Sequence, residues 1–439
     1  MRILFGSLVV VAVCFLSSPA GAQPVVELTA TEAVERGLEH NVRLAASRAE
    51  AGEAQAALRQ TRGGRLPTLQ ATGSATRLWN VPEVEFDFPG LDDTFDFFQI
   101  PRTQVFSEVS LEQPLFTGFR LHNQVRAAAS RAEAASLLAT QDEADVAFEI
   151  RAAYAALQQA LAVREAAQSA LTAVEEHVRR VRALLAEGAV LRMDLLAAQT
   201  RRSEVQLDRL DAENAVQVSR LELNRLIGLP LTTNIVAVDE PTPPAPLALD
   251  LLVTEAIETR PQLLAMAEQA RALEAEVAAS RGAWLPEVGA VGRYVHARPS
   301  PVNILQQDEF HGHWEVGLTA RWRILDFGRP AATAGAQARL AAARARLADA
   351  EQVVAVQVTR RYLEAQRSIE ALEVATQHVA EAEESFQVVQ AQFAEGAALP
   401  AQVLEAEQVL RAAQARLAQA AADVSVAQAA VLNVIGQVW

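Results

Sequence analysis

The sequence predicts a mainly α-helical protein that also contributes to a transmembrane β-barrel, with duplicated long helical hairpins and four strands per chain. Two observations lead to this prediction. Helical runs and turns recur at a fixed offset of 208 residues, which indicates an internal duplication. In addition, segments of about ten residues that alternate between apolar and polar side chains precede each of the two longest helical runs.

The internal repeat includes both buried positions and turns. Tyr154 falls on Tyr362 at this offset, within matching rows of apolar residues at helical spacing. The Ala-Glu-Gly-Ala turn at residues 186–189 recurs at residues 394–397. Because a helical stripe and a tight turn recur together, we interpret the chain as two copies of one hairpin.

The predicted domain boundaries follow from composition. Residues 1–22 have one Arg, an apolar stretch and a final Ala-Gly-Ala, as in a secretory signal peptide. We predict a first repeat over residues 23–239, a Pro-rich linker over 240–246 and a second repeat over 247–439. Cys14, the single cysteine, lies in the signal, and lipid attachment there would require cleavage after Val13, a large residue for that site.

Charge and motif content exclude several classes of function. The formal net charge of -15 disfavours nucleic acid as a partner. No Ser-His-Asp set, phosphate-binding loop or paired carboxylates indicate an enzyme, and no cofactor is expected. Asp308, Glu309, His311 and His313 have the residue types of a metal site but lack a fixed ligand spacing, so we predict no metal.

Each copy is predicted to contain a short helix, two strands joined by a polar loop, a very long helix, a glycine break and a medium helix. In copy one the long helix runs from about Arg120 to Leu185 without Pro or internal Gly, or roughly 100 Å at 1.5 Å per residue. The returning helix, from about Asp194 to Leu226, is half as long. Together with a helix from Val42 to Gly63, it could line the long helix end to end.

The clearest strand signal covers residues 313–324. One face carries six apolar residues, namely Trp314, Val316, Leu318, Ala320, Trp322 and Ile324. The other face is largely polar and charged, which suits a tilted strand between lipid and a water-filled lumen. Residues 68–78, 103–113 and 287–296 alternate less cleanly. A soluble sheet with one buried face is the alternative.

Four strands cannot close a barrel that holds water, and open strand edges in lipid would leave backbone groups unpaired. The barrel must therefore be shared between chains. Two, three or four chains would supply eight, twelve or sixteen strands, and an eight-stranded barrel is filled by its own side chains. A channel is expected to need three or four chains.

Short motifs recur at matching places in the two copies. Leu66-Pro67 and Leu285-Pro286 precede the first strand of each copy, and Gln113-Pro114-Leu115-Phe116 closes a strand. Copy one ends in the run Leu-Asn-Arg-Leu-Ile-Gly-Leu-Pro at residues 223–230. In this order and with the duplicated turns, the chain resembles the TolC-like outer-membrane efflux proteins over essentially its mature length.

The resemblance implies a homotrimer. Twelve strands would form one barrel in outer membrane lipid, and the helical hairpins would form a periplasmic α-barrel. The chain would be the exit duct of a tripartite efflux or type I secretion system, which receives substrates from an inner-membrane pump and a periplasmic adaptor. The alternative is a periplasmic coiled-coil adaptor or scaffold without a pore. Because such proteins usually have one hairpin between compact β domains, the duplication favours the channel.

The hairpin tips are the candidate functional site. Gly188 and Gly396 are expected to end the long helices in a left-handed conformation. By resemblance, acidic residues after the tip glycine close the entrance, at the positions of Asp194, Gln402 and Glu405. We hypothesise that Glu405 from three chains forms a cation-favouring ring, while Asp194 forms hydrogen bonds that hold the tips together. In the alternative interpretation, Glu405 is a solvated surface acid.

Two features make this entrance unusual for the family. Gln402 replaces the usual acid, and Ala398 stands where some members carry an Arg. The adaptor is expected to dock on small and apolar residues at the two tips, because exposed apolar groups there indicate a partner. These residues are Gly188, Ala189, Val190, Leu191, Gly396, Ala397, Ala398 and Leu399.

Overall fold

The computed structural model describes residues 25–80, 101–238, 248–300, 302 and 308–437. The predicted signal peptide (1–22) and Pro-rich linker (240–246) lie outside the described residues. The predicted mainly α-helical class is confirmed. Eight helices make up most of the described chain: α1 (Ala30–His40), α2 (Val42–Gly63), α3 (Arg120–Ala186), α4 (Arg192–Leu226), α5 (Leu249–Thr259), α6 (Pro261–Gly282), α7 (Arg329–Ala394) and α8 (Pro400–Val434).

The long helices agree closely with the sequence pattern. Helix α3 has 67 residues and α7 has 66, so each is roughly 100 Å long. In copy one, α4 returns along the far half of α3, and α2 packs on α3 nearer the sheet. Two shorter helices therefore line one long helix, as expected.

The short helical segment before the strands is two helices in each copy, whereas the sequence analysis predicted one. Helices α1 and α2 are separated at Asn41, whose backbone is extended. The Asn41 amide oxygen accepts a hydrogen bond from the Arg43 backbone N–H at 2.9 Å, and its amide nitrogen donates to the Leu226 carbonyl at 2.9 Å. In copy two, α5 ends before Arg260, and Pro261 begins α6.

A small parallel sheet was not predicted. It pairs β1 (Val25–Leu28) with β4 (Asn234–Ala237), so the start and end of copy one lie side by side. The Tyr154 hydroxyl lies 2.8 Å from the carbonyl oxygens of both Leu28 and Val238. This contact fastens the small sheet to α3, beside the largest buried apolar cluster.

The four predicted barrel strands form one antiparallel sheet in the order β2-β3-β5-β6. The strands are β2 (Thr68–Arg77), β3 (Thr103–Thr117), β5 (Glu287–Arg298) and β6 (His311–Arg321). The alternating pattern continues beyond the end of β6, so Trp322 and Ile324 lie outside the strand. The Trp322 indole instead donates to the carbonyl of Trp284, 3.0 Å away, where α6 leads into β5.

The strand register separates the two chemical faces. Tyr294 lies opposite Trp314, and Gly292 lies between Leu111 and Val316 on neighbouring strands, so apolar residues share one face. Val316 is 88% exposed. The other face carries polar pairs such as Thr68 with Glu112 and Arg293 with Glu315. Among the described residues, the outer edges of β2 and β6 have no strand partner.

Two glycines join the sheet to the helices. Gly118 has a φ of +59°, in the corner where β3 turns into α3. A Cβ on Gly282, at the end of α6, would lie 2.1 Å from the Gly118 carbonyl oxygen. Only glycine allows the two backbones to approach this closely. The contact fixes the sheet relative to the layer formed by α3 and α6.

Candidate functional site

Both hairpin tips end their long helix in the same hydrogen-bonded turn. Gly188 and Gly396 have φ values of +74° and +73°, the left-handed conformation expected from the sequence. In copy one, the N–H of Ala189 donates to the Leu184 carbonyl at 2.9 Å, and that of Gly188 donates to the Leu185 carbonyl at 3.1 Å. Copy two repeats both bonds, so the carbonyls that α3 and α7 leave unpaired are satisfied in a Schellman motif.

Asp194 and Gln402 have equivalent local roles. The Asp194 carboxylate accepts a hydrogen bond from the Leu191 backbone N–H at 2.9 Å. The Gln402 side-chain oxygen accepts from the Leu399 backbone N–H at 2.8 Å. Each side chain therefore satisfies a free donor at the start of its own returning helix. This explains why Gln can replace the acid in copy two, because the bond needs only an acceptor oxygen.

One apolar cluster joins the two tips within the chain. Val181, Phe393 and Val403 are buried together, although they come from α3, α7 and α8. Val190 and Ala398, the residues beside the two turns, are half-buried and pack on this cluster. Two of the predicted docking residues are therefore partly covered by contacts within the chain. Leu191 and Leu399 remain 64% and 66% exposed.

A buried ion pair lies further along the same helices. The Arg201 guanidinium on α4 donates to the Glu407 carboxylate on α8, with its Nη2 atom 3.1 Å from Oε2. Their side chains are only 11% and 6% exposed. A second pair between these helices joins Arg411 to Asp208 at 2.9 Å. The two pairs run in opposite directions, since the Arg is on α4 in one and on α8 in the other.

Burial also shifts the ionisation of this region. Burial raises the pKa of Glu407, and the attraction of Arg201 opposes that rise only in part. His177 on α3 is buried with its ring 5.3 Å from that of Phe393. Burial, with the nearby charge of Arg180, lowers the pKa of His177. Burial thus opposes the charged form of both side chains next to the tip cluster.

The sequence analysis missed Arg201, Glu407 and His177. For Glu407 a signal was present, since it follows buried Val403 by one helical turn and therefore falls on the apolar face of α8. An acid at such a position needs a partner. The sequence alone does not identify Arg201, 206 residues earlier, as that partner.

The remaining predicted positions lie at the surface. Glu405 is exposed on α8, and Gly188, Ala189, Gly396 and Ala397 are exposed at the turns. Asp308, one of the metal-like residues, accepts two hydrogen bonds of 2.8 Å from Arg298. No group of three or more potential metal ligands occurs in the described ranges.

Solved structures share this fold. A membrane protein from Pseudomonas aeruginosa is 18% identical with a TM-score of 0.78, over 93% of this chain and 90% of that chain. The outer membrane protein VceC from Vibrio cholerae is 18% identical with a TM-score of 0.75, over 93% and 96%. The open-state outer membrane channel MtrE of Neisseria gonorrhoeae is 18% identical with a TM-score of 0.72, over 93% and 88%.

The search of curated protein sequences gave no significant match. The family model described as "Outer membrane efflux protein" matches residues 33–229 and 252–437. These ranges cover most of both predicted repeats and nearly all of the described helices. The chain therefore belongs to the outer membrane efflux protein family.

Proposed function

We propose that three copies of this chain form the exit duct of a tripartite efflux or type I secretion system. The twelve strands would close one barrel in the outer membrane, and the helices would form a tunnel across the periplasm. An inner-membrane pump and a periplasmic adaptor would deliver the substrate, which passes through unmodified. The family supports a transport role rather than an enzymatic one.

The observation that carries the proposal is the open four-stranded sheet. Its β2 and β6 edges lack strand partners in the described chain, and its apolar face is exposed on β2, β3 and β6 and half-buried on β5. Such a face suits lipid, but lipid cannot satisfy the backbone groups of an open edge. Pairing β6 of one chain with β2 of the next removes both edges.

The helices support the same assembly. Within the chain, α3 of copy one packs against α8 of copy two. The duplication predicts an equivalent packing of α7 against α4, and within the described chain these two helices make at most a marginal contact. Both helices carry exposed apolar residues at heptad-like spacing. These are Met193, Leu196, Leu207, Leu210, Val218 and Leu221 on α4, and Val353, Val356, Leu363, Val374 and Val388 on α7.

We call the predicted junction between α7 of one chain and α4 of the next the seam. A specific pair of charges fits this seam. Where α3 meets α8, the side chain of Gln159 donates to that of Gln419. The repeat offset maps these residues onto Arg367 of α7 and Asp211 of α4, both exposed. The seam would therefore replace a neutral pair by opposite charges. Such complementarity favours docking of a second copy.

Cysteine cross-linking tests the seam, because the predicted mature chain has no cysteine of its own. Oxidation of an Asp211→Cys, Arg367→Cys variant should give covalent species of two and three chains on a denaturing gel. The matched Gln159→Cys, Gln419→Cys variant should cross-link only within one chain. Efficient intrachain cross-linking of the first variant, without a ladder, would contradict the proposed assembly.

Conductance tests the pore itself. The purified protein should have the mass of a trimer in detergent and produce discrete channels in planar bilayers. A ring of Glu405 side chains at the entrance should favour cations. Glu405→Ala should then reduce the cation preference. Equal ion selectivity in the wild-type protein and Glu405→Ala would mean that Glu405 is an ordinary surface acid. That result would not affect the channel proposal.

The adaptor is proposed to contact the two tips through exposed Leu191 and Leu399, beside the glycine turns. Leu191→Asp should abolish recovery of an adaptor complex while leaving the trimer intact, because a charge there opposes apolar docking. Charge reversal at Glu187, also exposed, is the matched control and should not affect folding. Normal complex recovery with Leu191→Asp would move the docking surface away from the tips.

A further inference from the structure

We propose that the tunnel wall next to the barrel carries an anion-binding arginine collar, formed by Arg131 and Arg339 on either side of Glu276. It rests on the proposed function, since the tunnel exists only in the assembled channel. Its ligands would be anionic groups such as carboxylates, sulfonates or phosphates, on a cargo molecule or as free ions.

A cavity of about 630 Å³ lies beside these residues. The helices that line it pack side by side in the order α2, α3, α6, α7. Thr61 from the first and Ala332 from the last both line the same cavity, so the four-helix layer curves around it. The cavity is therefore on the concave side, which would face the lumen of a closed tunnel. It is also next to the sheet, because all four helices join strands at this end.

The charges in the cavity are unbalanced. Glu276 on α6 lies between two arginines and pairs with Arg131 on α3 and, at 4.0 Å, with Arg339 on α7. The side chains of both arginines are more than half exposed. One carboxylate cannot satisfy two guanidinium groups, each with five N–H donors. Small alanine side chains around them leave those donors accessible to a ligand.

The duplication extends this imbalance around the tunnel. Arg131 and Arg339 are equivalent at the repeat offset, while α2 and α6 have the same length of 22 residues. Aligned end to end, α2 has Ala57 where α6 has Glu276. At each seam, Ala57 would thus lie between Arg131 and the partner subunit's Arg339, and the nearest acid on α2 would be Glu53, one helical turn away. Three chains would supply six arginines and three glutamates to one level of the tunnel.

A positively charged ring in the tunnel wall is unexpected in a protein whose formal net charge is -15. Rings of charged side chains set the ion preference of a pore, and their influence is strongest where the walls exclude bulk water. The collar should thus attract anions above an entrance that carries Glu405. Weak guanidinium hydration and the planar donor geometry favour carboxylate, sulfonate and phosphate groups in particular.

Reversal potentials measured in a KCl gradient test the collar, with variants that should change the ion preference in opposite directions. Arg131→Gln with Arg339→Gln should lower the chloride-to-potassium permeability ratio at least about twofold, and Glu276→Gln should raise it. Arg344→Gln is the matched control. Arg344 pairs with Glu274, two residues from Glu276 and thus on roughly the opposite side of α6, so its removal should change nothing. A ratio unchanged in the double variant would overturn the collar.

A binding measurement separates this inference from the proposed function. Pyranine, a trisulfonated dye, should bind the purified protein at low salt, with fluorescence anisotropy as the readout. The double arginine variant should bind at least about tenfold more weakly, since charge-assisted contacts to sulfonate are lost. Equal affinity would overturn the collar whether or not channels form. If the wild-type protein forms no conducting channel but the double arginine variant still binds pyranine more weakly, the result contradicts the proposed duct and not the arginine site.

Discussion

The ion pair between Arg201 and Glu407 gives the sharpest test of how the tips are held together. Glu407→Ala removes the carboxylate that lies 3.1 Å from the guanidinium and leaves Arg201 buried. Removing one partner of a buried pair destabilises a protein by about 3–5 kcal/mol. Arg201 keeps a bond to Glu204 at 3.2 Å, but Glu204 is more than half exposed and contributes at most about 1 kcal/mol. We therefore expect a loss near 3 kcal/mol.

Removal of the other partner, in Arg201→Met, should destabilise the protein by an amount that depends on pH. Burial raises the pKa of Glu407 above its ordinary 4.5, so the folded helix pair binds this proton more tightly than the unfolded one. The contribution of Glu407 to stability therefore falls as pH rises above about 4.5 through the pKa of the folded state. Arg201→Met raises that pKa further, because the attractive charge is lost. Its destabilising effect should be smallest at acidic pH and grow towards neutral pH.

Hydrogen exchange of the backbone amides in residues 192–207 and 400–415 measures this effect locally. A loss near 3 kcal/mol lowers protection by more than about a hundredfold, at 1.4 kcal/mol per factor of ten. Arg201→Met combined with Glu407→Leu should restore much of the protection, since apolar replacement of both partners is often neutral. Less than a tenfold loss in each single variant, or no recovery in the double variant, would refute the reasoning.

Three further predictions concern the rest of the fold. Gly282→Ala should prevent assembly, as judged by trimer yield, because its Cβ would meet a backbone oxygen at 2.1 Å; Gly52→Ala, with open space around it, should be tolerated. Val316→Arg on the apolar face should destabilise the barrel by about 2–4 kcal/mol in a urea titration in lipid, while Thr319→Arg on the polar face should not. Tyr154→Phe should lower the free energy of unfolding by about 1–3 kcal/mol, because two carbonyls lose their shared donor.

Long elements with a regular, uninterrupted residue pattern could be predicted from the sequence. In copy one, the long helix and the returning helix begin and end within about two residues of the predicted limits, because the long run has no Pro or internal Gly and stops at the Gly188 turn. The end of β6 was less accurate. Trp322 and Ile324 continue the alternation, yet the chain leaves the sheet at Arg321, where the Trp322 indole bonds to the α6–β5 junction. Alternation indicates a side-chain face but not the point where backbone pairing stops.

Short elements and distant partners were not predictable. Strands β1 and β4 have four residues each, too few for a period, and they form only because the ends of copy one meet beside Tyr154. The break at Asn41 also depends on a distant contact, since its amide bonds to the end of α4. In both places a long-range hydrogen bond decides what local propensity leaves open.

The sequence by itself determined the duplication, the helical hairpins, the glycine turns and the apolar and polar faces of the strands, because each depends on residue types at short, regular spacing. Only the tertiary structure decided which copies of these elements meet. It placed Phe393 and Val181 in one tip cluster, paired Arg201 with Glu407, and gave Glu276 two arginine neighbours. Such contacts join residues more than about sixty positions apart, and packing of complementary surfaces, rather than local spacing, selects them.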